Sequence, residues 1–141
     1  MINLTAHALL FTIAAIGISE TAYLIRKRQE EEKPVCPIFG GGCETVLNSK
    51  YNRLFFGMHN EYGGIIFYIV LAVIAALLVI GIDSASFLVL IAEILLVLAT
   101  LATLALIYIQ WKIIKAWCFW CLMSAATVGL MDIILLTSKL T

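Results

Sequence analysis

Tyr62-Gly-Gly-Ile-Ile-Phe-Tyr-Ile-Val-Leu-Ala-Val-Ile-Ala-Ala-Leu-Leu-Val-Ile-Gly-Ile82 carries no charged residue. It has the roughly 20 residues that a helix needs to cross the hydrocarbon of a bilayer. Lipid offers the backbone no hydrogen-bond partner, so such a segment must be helical. Three further stretches read the same way: Leu4 to Ile25, ended by Arg26-Lys27-Arg28, then about Phe87 to Ile109, and about Trp117 to Thr137. Helices are therefore expected at about 4–25, 62–82, 87–109 and 117–137, within one domain over residues 1–141. The fold class is all-α, an integral membrane four-helix antiparallel bundle. Composition agrees, at 63% hydrophobic and 13% charged, where a soluble domain carries about a quarter charged residues. That excludes a soluble globular domain and a disordered tail. A formal net charge of +0 leaves no basic footprint for nucleic acid. The first apolar stretch is too long for the core of a cleavable secretion signal.

The connections are unequal. Helices two and three are joined by a tight turn around Asp83-Ser84, and helices three and four by a short link at Gln110 to Ala116. Between helices one and two lies a long loop, residues 26–61, and loops of that length tend to be functional. It opens with a charged run, Arg26 to Lys33, expected as a solvated helix extension, and later holds the apolar cluster Leu54-Phe55-Phe56. Helix parity puts this loop and the helix three–four link on one membrane face. All four cysteines gather there: Cys36 and Cys43 in the loop, Cys118 and Cys121 opening helix four. Tyr108, Trp111, Trp117 and Trp120 fall at the same level, as an interfacial aromatic belt would.

Cys118-Phe119-Trp120-Cys121 is a C-x-x-C at a helix N-terminus. Residues at i and i+3 share a face, so the sulfurs can close a small disulfide. The positive end of the helix dipole favours a thiolate, which suits thiol–disulfide exchange. A static structural disulfide is the plainer alternative. Cys36 and Cys43 bracket Pro37 and three glycines, Gly40, Gly41 and Gly42. A relay that faces two partners in turn gains from such a hinge, whereas a mere loop closure does not. The two pairs together make an electron path from an external thiol, through the loop, to the helix end and onward to something lipid-soluble.

The run Cys36-Pro-Ile-Phe-Gly-Gly-Gly-Cys43-Glu-Thr-Val-Leu-Asn-Ser49, then Phe56-Gly57, then Asn60-Glu-Tyr-Gly-Gly-Ile-Ile-Phe-Tyr68, resembles the vitamin K epoxide reductase family, above all its small prokaryotic members. Trp117-Cys-Phe-Trp-Cys121-Leu-Met-Ser-Ala125 is similar to that family's redox motif. The resemblance implies that Cys36 and Cys43 receive electrons from a partner thiol, with Cys43 attacking the disulfide that involves Cys118. It implies that Cys121 contacts a quinone and that Ser49 assists the meeting of loop and active site. Asn60 falls where relatives place an amide that hydrogen-bonds a quinone oxygen, with Phe56 and His59 as neighbouring candidates on the cofactor side. Ala125 stands where animal members have a quinone-contacting tyrosine, which favours plain quinone reduction over epoxide reduction. The implied cofactor is a quinone of the ubiquinone or menaquinone class, without a metal. The implied partners are the lipid bilayer and a separate thioredoxin-fold thiol oxidase or isomerase, since no such domain follows helix four. Nucleic acid is not a partner.

Glu93 inside helix three is expected as a protonated group facing the bundle. Glu20 can pair with loop charges or relay protons, and His59 can shuttle a proton near neutrality. Eight of nine Lys and Arg, all but Lys139, lie on the cysteine face, which by the positive-inside rule points that face to the cytoplasm. Disulfide formation belongs to exported compartments, and the family resemblance also favours the outer side of a multi-pass cell-membrane protein. A rival reading is a metal-binding membrane transport protein built on four thiolates. A passive subunit with two static disulfides is another.

Overall fold

A computed structural model describes residues 2–30, 60–81, 85–115 and 118–140. Four long helices account for nearly all of them: α1 (Ile2–Gln29), α2 (Asn60–Ile80), α3 (Ala85–Tyr108) and α4 (Phe119–Leu140). All four hold windows long and apolar enough to cross a membrane, within Thr5–Gln29, Asn60–Ile80, Ser86–Ile114 and Phe119–Thr137. The four-helix bundle read from the sequence is the fold of this protein. Of the loop, only its helical ends are described; Cys36, Cys43, Ser49, Phe56 and His59 lie outside the described residues.

α1 is the central packing element, lying mainly on α2 and then on α4. Gly17 makes the first contact close: a Cβ there would collide with the Tyr68 ring of α2. Without a side chain at 17, the ring seats directly on the α1 backbone, and Tyr68 is 1% exposed. Around it Leu10, Ala14, Leu71, Ile74, Leu96 and Met131 form one continuous core. Small residues let helices approach where the lipid supplies no hydrophobic drive. α3 turns most of its apolar side outward, with Leu90, Ile94, Val97, Leu101 and Leu104 exposed as a lipid-facing helix requires. α2 ends on Gly81, whose φ of 91° closes the helix in the left-handed region and whose N–H donates to the Leu77 carbonyl at 3.2 Å.

The link between helices three and four departs from the expectation. The segment beyond Tyr108 does not leave the helix but widens into π-helical turns, Ile109–Ile114. Lys115, with φ 59°, then ends it. The physical reason is Gln110. The residue is 2% exposed, and its side chain reaches into the bundle to accept the main-chain N–H of Cys118, just ahead of α4. Widened turns of this kind are uncommon and gather at functional sites. α1 runs past Ile25 to Gln29, as the helix extension expected from Arg26 onward requires, its end supported by an exposed Arg26–Glu30 pair at 3.1 Å. The aromatic belt is only partly realised. Tyr108 and Trp111 are more than half exposed, but Trp120 packs on Tyr23 of α1, ring centroids 4.8 Å apart. Trp117 lies outside the described residues.

Candidate active site

The C-x-x-C opens α4 as a cap made of sulfur. Cys118 precedes the first helical residue, and its carbonyl accepts the Leu122 N–H at 3.0 Å. Its Sγ accepts the Cys121 N–H at 3.2 Å, the place a serine or aspartate oxygen usually takes at an N-cap. The Cys118 N–H in turn donates to Gln110 Oε1 at 2.9 Å. Both thiols are free. The hydrogen bond from the Cys121 thiol, with the main-chain N–H groups of Cys121 and Trp120 behind it, lowers the Cys118 thiol from its ordinary range. Burial and the Glu61 charge push the other way and lose. A thiolate here is a ready nucleophile and leaving group.

The two sulfurs have different surroundings. Cys118 is fully buried, packed with Leu24, Tyr23, Ile114, Phe119 and Trp120. As it stands it is not open to an external thiol. Cys121 is partly exposed and lines a cavity of about 290 Å³, near the lower end of small-molecule sites, which run from about 300 Å³. This cavity has two ends of different character. Around Cys121 its wall holds Asn60, Glu61, Gln110, Thr21 and Ser124. Away from them it continues between α2, α3 and α4 along Leu95, Leu98, Ala99, Ala102 and Val128. From Gln110 to Leu95 the helical rise amounts to roughly 20 Å. Leu98 also faces outward, 58% exposed, so the apolar end reaches the lipid side. The shape accepts a flat, weakly polar head beside Cys121 and an apolar tail beyond it.

Charge at this end is organised by an ion pair. Arg28, in the last turn of α1, pairs through Nε with Glu61 Oε1 in the first turn of α2. The Glu61 side chain is 2% exposed and the Arg28 side chain 22%. Deeper in the bundle, hydroxyls and carboxyls pair across helices. Tyr68 and Ser124 share a hydrogen bond at 2.7 Å. Thr127 donates to Glu20 Oε1 at 2.7 Å, so Glu20 is tied to α4 through a hydroxyl. Its Oε2 is buried without a partner among the described residues. Thr100 donates to Asp132 Oδ2 at 2.6 Å, joining α3 to α4. Glu93 is half-buried and engaged in an interaction of its own.

Of the residues expected from the sequence, Cys118, Cys121 and Asn60 come together at one end of the bundle. The sequence pattern does not single out Gln110, Arg28, Glu61, Tyr68, Ser124 or Asp132 as parts of this end of the bundle. For Gln110 a signal exists, a polar residue at the end of an apolar helix, but the same position fits a link equally well. Asp132, inside the fourth apolar stretch, was a signal of the same kind. The Arg28–Glu61 pair spans a loop, and its partners are 33 residues apart; no local pattern marks it.

No curated protein matches the chain. The family model described as "Vitamin K epoxide reductase family" matches residues 8–136. That span takes in most of α1 and α4, all of α2 and α3, and the loop between the first two helices. By that match the chain belongs to the vitamin K epoxide reductase family, membrane oxidoreductases that work on thiols and disulfides.

Proposed function

We propose that this protein oxidises a separate thioredoxin-fold partner and delivers the two electrons to a quinone of the ubiquinone or menaquinone class in the cavity beside Cys121. The observation that carries the reading is the placing of one partly exposed thiol, Cys121, at the polar end of an otherwise apolar slot that opens toward lipid. When bound, a quinone supplies the two-electron sink and leaves as the hydroquinone with two protons. The sulfurs do the rest. A partner dithiolate attacks the Cys36–Cys43 disulfide through a mixed disulfide and leaves the partner oxidised and the loop pair reduced. Cys43 attacks Cys118 of the Cys118–Cys121 disulfide, and Cys36 then resolves the mixed bond. The first attack releases Cys121 as the thiol, and when Cys36 attacks Cys43 of the mixed bond the group released is Cys118, whose lowered thiol, held by main-chain N–H groups, leaves readily. Cys121 is the thiol left facing the acceptor. Ser49 would assist the docking of the loop. Asn60 would hold an acceptor oxygen, with Phe56 and His59 around the mouth.

The test separates the two halves of the relay. Purified protein supplied with dithiothreitol should reduce decylubiquinone. Cys43→Ala should keep most of that rate while losing, by a factor of about 10² or more, the rate driven by a thioredoxin-fold partner, because only the small dithiol bypasses the loop. If Cys43→Ala kept full activity with the protein partner, the loop would not be a relay.

The cysteine face is proposed to lie outside the cytoplasm, where disulfide formation belongs. Impermeant maleimide applied to intact, reduced cells should then label Cys36 and Cys43. Protection of both would reverse the orientation.

A further inference from the structure

We propose that Gln110 is a two-ended positioning residue. Its carbonyl end fixes the C-x-x-C, and its amide end donates a hydrogen bond to an oxygen of the electron acceptor in the cavity. The inference rests on the quinone reading above and adds to it a residue that the sequence motif does not contain.

A primary amide carries an acceptor at one end and two N–H donors at the other. Gln110 Oε1 lies 2.9 Å from the Cys118 N–H. A main-chain N–H can only donate, so the oxygen must be the atom that faces it, and this settles the orientation of the amide. Its Nε2 makes no hydrogen bond among the described residues. Yet the residue is 2% exposed, in the interior of a membrane bundle. Gln110 also forms part of the cavity wall that Cys121 lines, so the cavity is the space that its NH₂ can address.

The backbone around it is shaped to this end. A regular helix would be expected to continue straight past Tyr108, but π-helical turns from Ile109 to Ile114 bring Gln110 inward while Trp111 and Ile113 stay exposed. Lys115 closes the segment in a left-handed conformation, one that non-glycine residues adopt at a cost. The same amide therefore touches the cap residue of the redox motif and faces the place where the acceptor's head would sit. A carbonyl oxygen there would receive the N–H that the protein leaves unused, and the donor would favour negative charge on that oxygen as electrons arrive. Because one side chain serves both, the position of the acceptor is registered against Cys118 and through it against Cys121.

The measurement uses the full-length protein in detergent micelles with decylubiquinone. In Gln110→Met, which keeps length but has neither donor nor strong acceptor, the quinone Kd read by tryptophan fluorescence quenching should rise about tenfold. The KM should follow it. In infrared difference spectra the bound quinone should show a carbonyl band shifted to lower frequency in the wild type, and that band should move back toward the free position in Gln110→Met. A merely structural role would lower kcat and leave the Kd and the band where they were; that result would overturn the inference. Should Gln110→Met fail to fold, Asn60→Leu decides: a lowered carbonyl band that persists there supports a second donor, and its complete loss would overturn the proposal. Wild-type protein that neither binds nor reduces decylubiquinone would bring down the quinone reading and this inference together. A wild type that does both, with Gln110→Met unchanged, would remove this inference alone.

Discussion

Cys121→Ala is expected to abolish quinone reduction, lowering the dithiothreitol-driven rate by a factor of at least about 10³, since removal of a nucleophilic sulfur leaves no group to take over its chemistry. The structure makes the loss specific. Cys121 is partly exposed and on the cavity wall, whereas Cys118 is 0% exposed and packed beneath Tyr23, Phe119 and Trp120. Cys118 cannot stand in for it without unpacking that cluster. The variant should still fold. The hydrogen bond that caps α4 runs from the Cys121 main-chain N–H to Cys118 Sγ, and alanine retains that N–H. One further change is expected. The Cys121 thiol is the leading influence that lowers the Cys118 thiol, so the thiolate ultraviolet absorbance of Cys118 should appear at higher pH in Cys121→Ala. Quinone reduction measured by loss of its ultraviolet absorbance checks the first point. A rate within tenfold of wild type would show that Cys121 is not the thiol that meets the acceptor.

Arg28→Met should produce the largest stability loss of any single surface-level change at this end of the bundle, about 3 kcal/mol, because it leaves the Glu61 carboxylate buried without its guanidinium. Glu61 is 2% exposed at the side chain, so water cannot replace the lost partner. The pair also ties the last turn of α1 to the first turn of α2, the two ends of the long loop. Chemical unfolding in mixed micelles measures the effect. Arg28→Met/Glu61→Leu should recover a large part of the stability, since an apolar pair of similar volume is often neutral or better in place of a buried ion pair. Arg28→Met within about 0.5 kcal/mol of wild type would show the pair to be energetically idle. The charge has a second consequence. Glu61 opposes the lowering of the Cys118 thiol, so removing Arg28 from beside it should lessen that lowering, read as thiolate ultraviolet absorbance appearing at higher pH.

The sequence made the fold legible because crossing lipid is a severe condition. Four stretches of about 20 apolar residues admit only helices, and short connections admit only antiparallel neighbours. The redox motif was legible for a similar reason. C-x-x-C at a helix start puts two sulfurs on one face, where the first turn's N–H groups are unspent. The structure adds that Cys118 itself takes one of those N–H groups and becomes the cap.

What could not be read from the chain is which polar residue answers which. Gln110 looked like part of a link because periodicity ends near it, and only the packing of α4 against the end of α3 shows its oxygen on the Cys118 N–H. Arg28 looked like part of a solvated charge run, yet it is largely covered while Arg26, two residues earlier, is 78% exposed at the side chain. Glu20 was a candidate for loop charges, but the hydroxyl that meets it, Thr127, comes from α4, 107 residues away. Hydrophobic burial and backbone satisfaction are local, additive demands, so one dimension of sequence suffices to determine the helices and the motif at their end. The cavity, the ion pair and the Gln110 contact each need atoms from separate helices at fixed separations. Those separations are set by packing details such as the missing side chain at Gly17, and only the tertiary structure decides them.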